Sequence, residues 1–287
     1  MIERLSVRTS DNINLKGFLF KSNEKNDKCI LFIPGLEGNY IECDFIDEIQ
    51  GISNELNYDF LCSHIRSSMQ IFNSQPLPNE KYPTMTGSTF EKFSDCVYDI
   101  STWIDFLQRS NYIEIIIISH SYGSNKMIYF LNKIKKYNHF IKQVILLSPI
   151  DCVGRTKKRH NYDELVETAK NAVLNNNGDK LLLSGFFYQS CSSFLDFLTD
   201  PEVDNFPLFA NGEKDFVFLN NITIPCCLVY GEEEKKYISI IKDLQLRNII
   251  KPSLFIVQNA NHNYIGSNGN LATTIKNILL ERGVISD

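Results

Sequence analysis

Short apolar runs of strand length alternate with longer segments of helical spacing along most of this chain. The run Ile115 to Ile118 consists of isoleucines only, which is typical of a strand buried on both faces of its sheet. The same criteria predict strands at residues 29–33, 58–62, 113–118, 144–147, 225–230 and 254–257, and amphipathic helices at residues 41–56, 93–107, 124–136 and 270–281. Strands that alternate with helices indicate an α/β protein with a doubly wound, mostly parallel sheet.

Two stretches depart from this alternation. Residues 5–9 and 13–20 alternate apolar and polar positions on either side of Asp11-Asn12, which predicts an antiparallel β-hairpin at one edge of the sheet. Residues 151–221 lose the alternation, although residues 162–174 have helical spacing. Within this segment, Phe186, Phe187 and Tyr188 form an apolar patch that we expect to pack inside it. The pattern therefore predicts a core of residues 1–150 and 222–287, with residues 151–221 inserted as a helical cap.

The composition is that of an ordinary globular protein. With 43% hydrophobic and 22% charged residues over 287 positions, the chain can bury the core of one large domain. A formal net charge of −5 without a basic stripe argues against nucleic acid as a partner. No apolar run approaches the roughly 20 residues of a membrane helix, so no membrane partner is predicted. Composition and charge leave the oligomeric state of the protein open.

Cysteine usage and residues 1–5 allow a prediction of the cellular compartment. The eight cysteines are scattered and form no C-x-x-C pair, so neither a metal site nor a redox site is predicted. Residues 1–5 show no signal-peptide pattern. We therefore expect a reduced, cytoplasmic protein.

The strand that ends at Ile118 runs directly into Ser119-His120-Ser121-Tyr122-Gly123 and a helix. A serine on so tight a strand-to-helix turn is held out of the sheet with its Oγ exposed, which is the geometry of a nucleophile elbow. The general pattern is Gly-x-Ser-x-Gly, and Ser119 occupies the first glycine position, where a small side chain suffices. Capping of the following helix is the alternative role for Ser121, but the strand–turn–helix context favours a nucleophile.

A serine nucleophile needs a base, and His262 is the best placed of the five histidines. His262 lies in the loop between the last predicted strand and the last helix, which opens at the same carboxyl edge of a parallel sheet as Ser121. A carboxylate must then orient the imidazole. Glu234, in the acidic loop after Tyr230, is our first choice, Glu233 the second and Asp151 the third. The alternative role for the glutamates is that of solvated residues at the start of the next helix, where the helix dipole favours negative charge.

Negative charge that develops on a carbonyl oxygen requires preorganised donors. We expect the backbone N–H groups of Tyr122 and Leu36 to serve as this oxyanion hole. Leu36 lies in the turn Pro34-Gly35-Leu36-Glu37-Gly38, where Gly35 permits a tight backbone path near the substrate. Glu37 would oppose an oxyanion, so we expect its side chain to point away or to bind a cationic group of the substrate.

A basic run in the predicted cap includes Arg155 and Arg159. Such a run is usually a solvated surface segment. The alternative is that these arginines bind a carboxylate or a phosphate of the substrate.

Taken together, Pro34-Gly35-Leu36, the elbow around Ser121, the acidic loop after Tyr230-Gly231 and Asn261-His262 resemble the α/β-hydrolase family, in its order of nucleophile, acid and histidine. The resemblance covers nearly the whole chain outside the cap. Residues 119–131 are also similar to uncharacterised hydrolases related to fungal siderophore esterases. Two departures are Ser119 at the first elbow glycine and glutamates in place of the usual aspartate.

This resemblance implies an α/β-hydrolase fold and a serine hydrolase that cleaves a carboxylic ester of a small molecule through an acyl-enzyme, without a cofactor. Three alternatives remain open on the same residues. An acyltransferase or cyclase would replace water by another nucleophile, and an amidase or peptidase would cleave an amide. A binding protein would keep the scaffold without the activity.

Overall fold

An eight-stranded sheet forms the centre of the computed structural model, which describes residues 1–76, 81–185, 187–210 and 215–281. Its strands in chain order are β1 (Ile2–Arg8), β2 (Asn14–Phe20), β3 (Lys28–Ile33), β4 (Asp59–Ser63), β5 (Glu114–His120), β6 (Ile141–Leu147), β7 (Cys226–Gly231) and β8 (Ser253–Val257). Two small hairpins lie outside this sheet, one pairing Phe72–Ser74 with Thr84–Thr86 and the other pairing Leu181–Leu183 with Tyr188–Ser190.

The strand order is β1-β2-β4-β3-β5-β6-β7-β8. Strand β2 pairs antiparallel with both β1 and β4, and all the other neighbours in the sheet are parallel. The predicted doubly wound, mostly parallel sheet with an N-terminal hairpin at one edge is therefore confirmed. Because β3 and β5 to β8 run in the same direction, the loops that follow them meet at one edge of the sheet.

The helices are α1 (Ile46–Glu55), α2 (Cys96–Arg109), α3 (Tyr122–Lys133), α4 (Cys152–Lys157), α5 (Tyr162–Leu174), α6 (Cys191–Thr199), α7 (Val217–Asn220), α8 (Lys235–Leu246) and α9 (Asn268–Glu281). Helix α1 begins later than the predicted residue 41. The Asn39 side-chain oxygen accepts the N–H groups of Ile41 and Glu42, and this turn competes with helix there.

Successive residues of β5 enter two different core layers. Ile115 and Ile117 pack with α2 and α3 on one face of the sheet, whereas Ile116 and Ile118 pack with α1 and α9 on the other. All four are fully buried. Burial on both faces explains why the strand reads as a continuous apolar run rather than as an alternating one.

Residues 151–221, which lie between β6 and β7, contain α4 to α7 and have a small apolar cluster of their own around α5 and α6; we call this segment the insertion. The expectation that Tyr188 packs inside it is wrong, because Tyr188 is 50% exposed. Successive residues of a strand point to opposite faces, and here the buried neighbour is Gln189. Phe187 lines a cavity considered below, and Phe186 lies outside the described residues.

No helix among the described residues has both the length and the apolar character needed to cross a membrane. The described residues also contain no disulfide.

Candidate active site

The turn between β5 and α3 holds Ser121 in a backbone conformation that residues other than glycine rarely adopt. Its φ is 51° and its ψ is −122°, and such a conformation costs about 1–3 kcal/mol. The Ser121 N–H donates to the Leu147 carbonyl at 2.7 Å, which ties the turn to the end of β6. The Ser121 side chain accepts no capping hydrogen bond from α3. The turn therefore presents the hydroxyl rather than using it to cap the helix.

The small residues of this turn have separate packing reasons. A Cβ at Gly123 would stand 2.2 Å from the Pro34 carbonyl oxygen, so only glycine lets α3 begin so close to the end of β3. Ser119 is fully buried, and its Oγ lies 3.2 Å from the Ser124 Oγ. A serine is accommodated at the first elbow position because a neighbouring hydroxyl partners it.

Ser121, His262 and Glu234 form one hydrogen-bonded chain. Ser121 Oγ lies 2.9 Å from His262 Nε2, and His262 Nδ1 lies 2.7 Å from Glu234 Oε1. A carboxylate can only accept, so His262 Nδ1 carries the hydrogen and Nε2 is left to accept from the serine hydroxyl. These three residues follow β5, β8 and β7, which end at the same edge of the sheet.

The carboxylate of Glu234 is held by more than the histidine. Its Oε2 accepts from the Ser148 hydroxyl and, at 3.0 Å, from the Gly231 N–H. The Tyr264 hydroxyl lies 2.8 Å from Ser148 Oγ. Only 6% of the Glu234 side chain is exposed, so these donors replace the water that the carboxylate loses. Ser148 and Tyr264 were not predicted, although Ser148 follows β6 at the carboxyl edge, a position that could have signalled it.

The other two candidate acids do not reach His262. Glu233 is exposed. The Asp151 carboxylate accepts the N–H groups of Gly154 at 2.7 Å and Phe209 at 2.6 Å. Asp151 therefore caps α4 and joins it to a later part of the insertion, while burial raises the pKa of this carboxyl above its ordinary value. Of the three candidate acids, Glu234 alone contacts the imidazole.

Leu36 and Tyr122 both line the space around Ser121. Within the described part of the chain, their backbone N–H groups donate to no protein acceptor. A Cβ at Gly35 would stand 3.2 Å from the Ser121 Cβ and 3.1 Å from the His120 carbonyl oxygen. Glycine thus allows the Leu36 turn to lie directly against the elbow, with two unused donors beside the serine.

Glu37 turns away from these donors. One oxygen of its carboxylate accepts from the Ser88 hydroxyl at 2.9 Å, and its backbone N–H donates to the Ser67 carbonyl at 2.7 Å. Its φ of 56° is in the left-handed region, which reverses the chain after Leu36. Glu37 therefore fixes the turn against the segment that contains Ser67.

A fully buried lysine links that segment to the elbow helix. The Lys126 ammonium donates to both Glu91 oxygens, at 2.7 and 2.9 Å, and to Ser67 Oγ at 2.5 Å. It also lies 4.8 Å from the centre of the Tyr122 ring. Burial raises the pKa of Glu91, and the Lys126 charge opposes that rise. No sequence signal marked Lys126, because a lysine within an amphipathic helix is usually solvated.

The His120 side chain supports the backbone of His262 through a hydrogen bond. Its Nε2 lies 2.9 Å from the His262 carbonyl oxygen; a carbonyl accepts, so this nitrogen is the protonated one. Burial, with a smaller effect of His262, lowers the pKa of His120 to about 3. A neutral His120 therefore supports the loop of His262 without adding a positive charge beside the His262 imidazole.

Comparison with solved structures shows which fold carries this arrangement. No family model and no curated protein sequence matches the chain. Est1E from Butyrivibrio proteoclasticus is similar over 98% of this chain and 99% of its own, at 16% identity and a TM-score of 0.62. The α/β-hydrolase GrgF from Penicillium sp. sh18 matches over 99% and 96%, at 14% identity and a TM-score of 0.62.

The Pyrococcus furiosus esterase Pf2001 is similar over 98% of this chain and 91% of its own, at 16% identity and a TM-score of 0.56. The chain has the α/β-hydrolase fold. At such identities the likeness concerns the fold and not the substrate.

Two cavities of this α/β-hydrolase fold adjoin Ser121, and both are also lined by Leu36 and His262. One, of about 340 Å³, lies against the insertion and has a largely apolar wall that includes Ile150, Phe187 and Phe197. We call it the insertion-side cavity. The other, of about 770 Å³, lies against the loops after β3 and β4. We call it the loop-side cavity.

The two cavities differ in the charges that line them. Glu37, Glu42 and Asp44 line the loop-side cavity, together with Gly35. The insertion-side cavity is instead lined by Arg155 and Arg159. The α/β-hydrolase core and the insertion thus surround Ser121 with walls of opposite charge. Among the described residues, no group of three or more His, Cys, Asp or Glu side chains is arranged to hold a metal ion.

Proposed function

We propose that this chain is a serine hydrolase that cleaves a carboxylic ester, or a related acyl bond, of a small molecule. The observation that carries the proposal is the continuous hydrogen-bonded chain from Ser121 Oγ through His262 to Glu234, with distances of 2.9 and 2.7 Å. The fold it shares with esterases of similar length adds support. Hydroxyl, imidazole and carboxylate in this order are the groups that nucleophilic acyl transfer requires.

In the first step, Ser121 Oγ attacks the carbonyl carbon while His262 Nε2 takes the hydroxyl proton. Glu234 orients the imidazole and stabilises the imidazolium that forms. His262 then gives the proton to the leaving alcohol, which produces an acyl-enzyme on Ser121. Water attacks this ester with His262 again acting as the base, and Ser121 is released with the acid product.

The tetrahedral intermediate carries its negative charge on the former carbonyl oxygen. The N–H groups of Leu36 and Tyr122 have no protein acceptor within the described residues, which makes them the available donors for this oxygen. Donors held in place before the reaction lower the barrier because they need no reorganisation. We assign them as the oxyanion hole.

The insertion acts in this proposal as a cap that shapes the substrate site. Its residues Cys152, Gln189 and Phe197 line the same cavity as Ser121 and His262. A cavity of about 340 Å³ suits a small-molecule substrate rather than a polymer. Because one structure of Est1E contains ferulic acid, methyl ferulate is a useful aromatic member of a substrate panel.

A fluorophosphonate probe tests the nucleophile directly. We expect the wild-type protein to be labelled at neutral pH and to hydrolyse p-nitrophenyl esters, and we expect Ser121→Ala to lose both. Ser192→Ala is the control, because Ser192 is exposed and lines neither cavity. Absence of labelling in a folded wild-type protein would contradict the proposal and favour a binding protein.

Substrate and product analysis separates the remaining acyl-transfer reactions. Ester turnover that greatly exceeds turnover of the matching amide supports an esterase over an amidase. Products formed with water alone, despite added alcohols and amines, support hydrolysis. Dominant transfer to an added nucleophile would instead assign an acyltransferase on the same residues.

A further inference from the structure

One wall of the insertion-side cavity carries two buried polar atoms without a partner. Arg159 Nε and Ser184 Oγ are inaccessible to solvent and have no hydrogen-bond partner among the residues that the structure describes. Both residues line the cavity that contains Ser121 and His262. Buried donors are usually paired in folded proteins. Ten buried side-chain atoms among the described residues lack a partner, and of these only Arg159 Nε and Ser184 Oγ belong to residues that line this cavity, where a ligand can pair them.

The Arg159 guanidinium lies against Gly185. Its Nη1 lies 3.2 Å from the place where a Cβ at residue 185 would stand, so the head of the arginine lies against a residue that also lines the cavity. Arg159 forms no ion pair within the described ranges. Its charge is therefore left uncompensated beside the site.

The second arginine of this wall is engaged differently. Arg155 lies beside the Tyr237 hydroxyl, where it opposes the rise that burial causes in the pKa of Tyr237. Neither arginine forms an ion pair among the described residues, but Arg155 is engaged by Tyr237, which leaves the planar fork of Arg159 to match a carboxylate. The apolar wall formed by Ile150, Phe187 and Phe197 suits an aliphatic or aromatic linker between that carboxylate and the reacting carbonyl.

We propose that the insertion-side cavity binds a substrate portion that carries a carboxylate, with Arg159 and Ser184 as its donors. The inference rests on the proposed hydrolase function and specifies its substrate class as monoesters of dicarboxylic acids, or esters whose alcohol portion carries the acid. An arginine fork donates two parallel hydrogen bonds to a carboxylate. Ser184 adds a third donor from the adjacent strand end.

The test compares esters that differ only in this charge. The acyl-side pair is mono-p-nitrophenyl suberate and its neutral methyl ester, and the alcohol-side pair is p-acetoxybenzoate and its methyl ester. We expect wild-type kcat/KM to favour the anionic member of one pair about tenfold or more. In Arg159→Gln, kcat/KM for that anionic ester should fall about 10- to 100-fold, while the neutral ester changes by less than about threefold.

Two further variants distinguish a specific ion pair between Arg159 and the substrate carboxylate from nonspecific electrostatic attraction. Lys157→Gln also removes one positive charge, but Lys157, at the end of α4, does not line the cavity. The selectivity of this variant should therefore equal that of the wild type. Arg159→Lys keeps the charge without the fork and should recover selectivity in part. Equal loss in Lys157→Gln and Arg159→Gln would overturn specific pairing, and so would tighter inhibition by octyl phosphate than by octanoate.

The two proposals fail in different ways. Turnover of neutral esters with no preference in either pair would overturn the carboxylate subsite and leave the hydrolase standing. If no ester is turned over, calorimetry with monomethyl suberate still decides the subsite. Binding to Ser121→Ala that is lost in the double variant with Arg159→Gln supports it, and absence of binding overturns it.

Discussion

Glu234 and Lys126, on the core side of Ser121, differ from Arg159 and Ser184, on the insertion side, in how completely their polar atoms are paired. On the core side, the buried Glu234 carboxylate has three donors, and the buried Lys126 ammonium has both Glu91 oxygens and Ser67. On the insertion side, Arg159 Nε and Ser184 Oγ are buried and have no partner within the described part of the chain.

In the proposed hydrolase, this contrast would separate the groups that carry out the reaction from those that recognise the substrate. Groups with complete sets of partners are held in one geometry, which is what a reaction centre requires. Groups that lack partners are available for a ligand. Changes on the core side should therefore reduce turnover of every substrate, whereas changes on the insertion side should alter the choice among substrates. The following predictions test that division in order of decreasing effect.

The largest effect is expected for His262→Ala. Removal of the base leaves Ser121 without a proton acceptor, and kcat should fall on the order of 10⁴-fold or more for neutral and anionic esters alike. Steady-state kinetics with both members of the suberate pair measure this. A loss confined to one member would contradict the division, because it would place His262 in recognition rather than in chemistry.

A smaller but still large loss is expected for Glu234→Gln. The amide cannot hold the Nδ1–H tautomer of His262 in the same way, so kcat should fall on the order of 10²- to 10⁴-fold. Glu233→Gln is the matched control, since this neighbouring glutamate is exposed, and its kcat should stay within about twofold of wild type. Equal kcat values for the two variants would show that Glu234 does not orient the base.

Lys126→Met tests whether a buried ion pair positions the oxyanion hole. We expect kcat to fall about tenfold with little change in KM, because Ser67 loses the donor that ties it to α3. The variant should also be destabilised by about 3–5 kcal/mol, since Glu91 is left buried and unpaired.

A second substitution distinguishes an effect of Lys126 on the geometry of the site from its effect on the free energy of unfolding. In the double variant Lys126→Met with Glu91→Leu, both charges are gone, and the free energy of unfolding should return towards wild type. If kcat stays low there, Lys126 is a positioning residue. Recovery of kcat together with stability would show that the pair serves the fold alone.

The smallest effect is a pH dependence of stability. The pKa of His120 is lowered to about 3 in the folded protein, so below the ordinary histidine pKa of about 6.5 the unfolded state binds the extra proton. His120 therefore contributes full stability above that value, and the contribution falls by up to about 1.4 kcal/mol per pH unit as the pH drops towards 3.

Urea unfolding from neutral to acidic pH measures this contribution. In His120→Gln, whose amide still offers a donor to the His262 carbonyl, the pH dependence should be flatter by one proton. His139→Gln is the control, because His139 is exposed, and its slope should equal that of wild type. Identical slopes in all three proteins would contradict a neutral, buried His120.

Several elements were predictable because local pattern decides them. The isoleucines of β5, the hairpin of β1 and β2 and the limits of α5 follow from apolar periodicity, and the structure agrees with each. Helix α1 shows where this fails, since the apolar Ile41 extends the helical pattern although it is 84% exposed. An Asn39 turn ends the helix earlier than periodicity indicates.

The candidate site likewise has features that the sequence predicts and features that it does not predict. That Ser121 and His262 lie at one edge follows from the order of strands and helices along the chain. Which carboxylate meets His262 does not follow, because Glu233 and Glu234 differ by one residue and only the path of their loop decides which of them turns inward. Ser148 and Lys126 were missed because their partners are distant in sequence and no local pattern marks them.

By itself, the sequence determined the elements, their order and therefore the edge at which the serine and the histidine lie, because hydrophobic periodicity acts over a few neighbouring residues. Tertiary structure alone decided that Glu234 is the carboxylate on His262, that Lys126 is buried on Glu91 and Ser67, and that Arg159 lines the cavity of Ser121. Each of these depends on side chains that approach from separate elements, and only the folded packing brings those elements together.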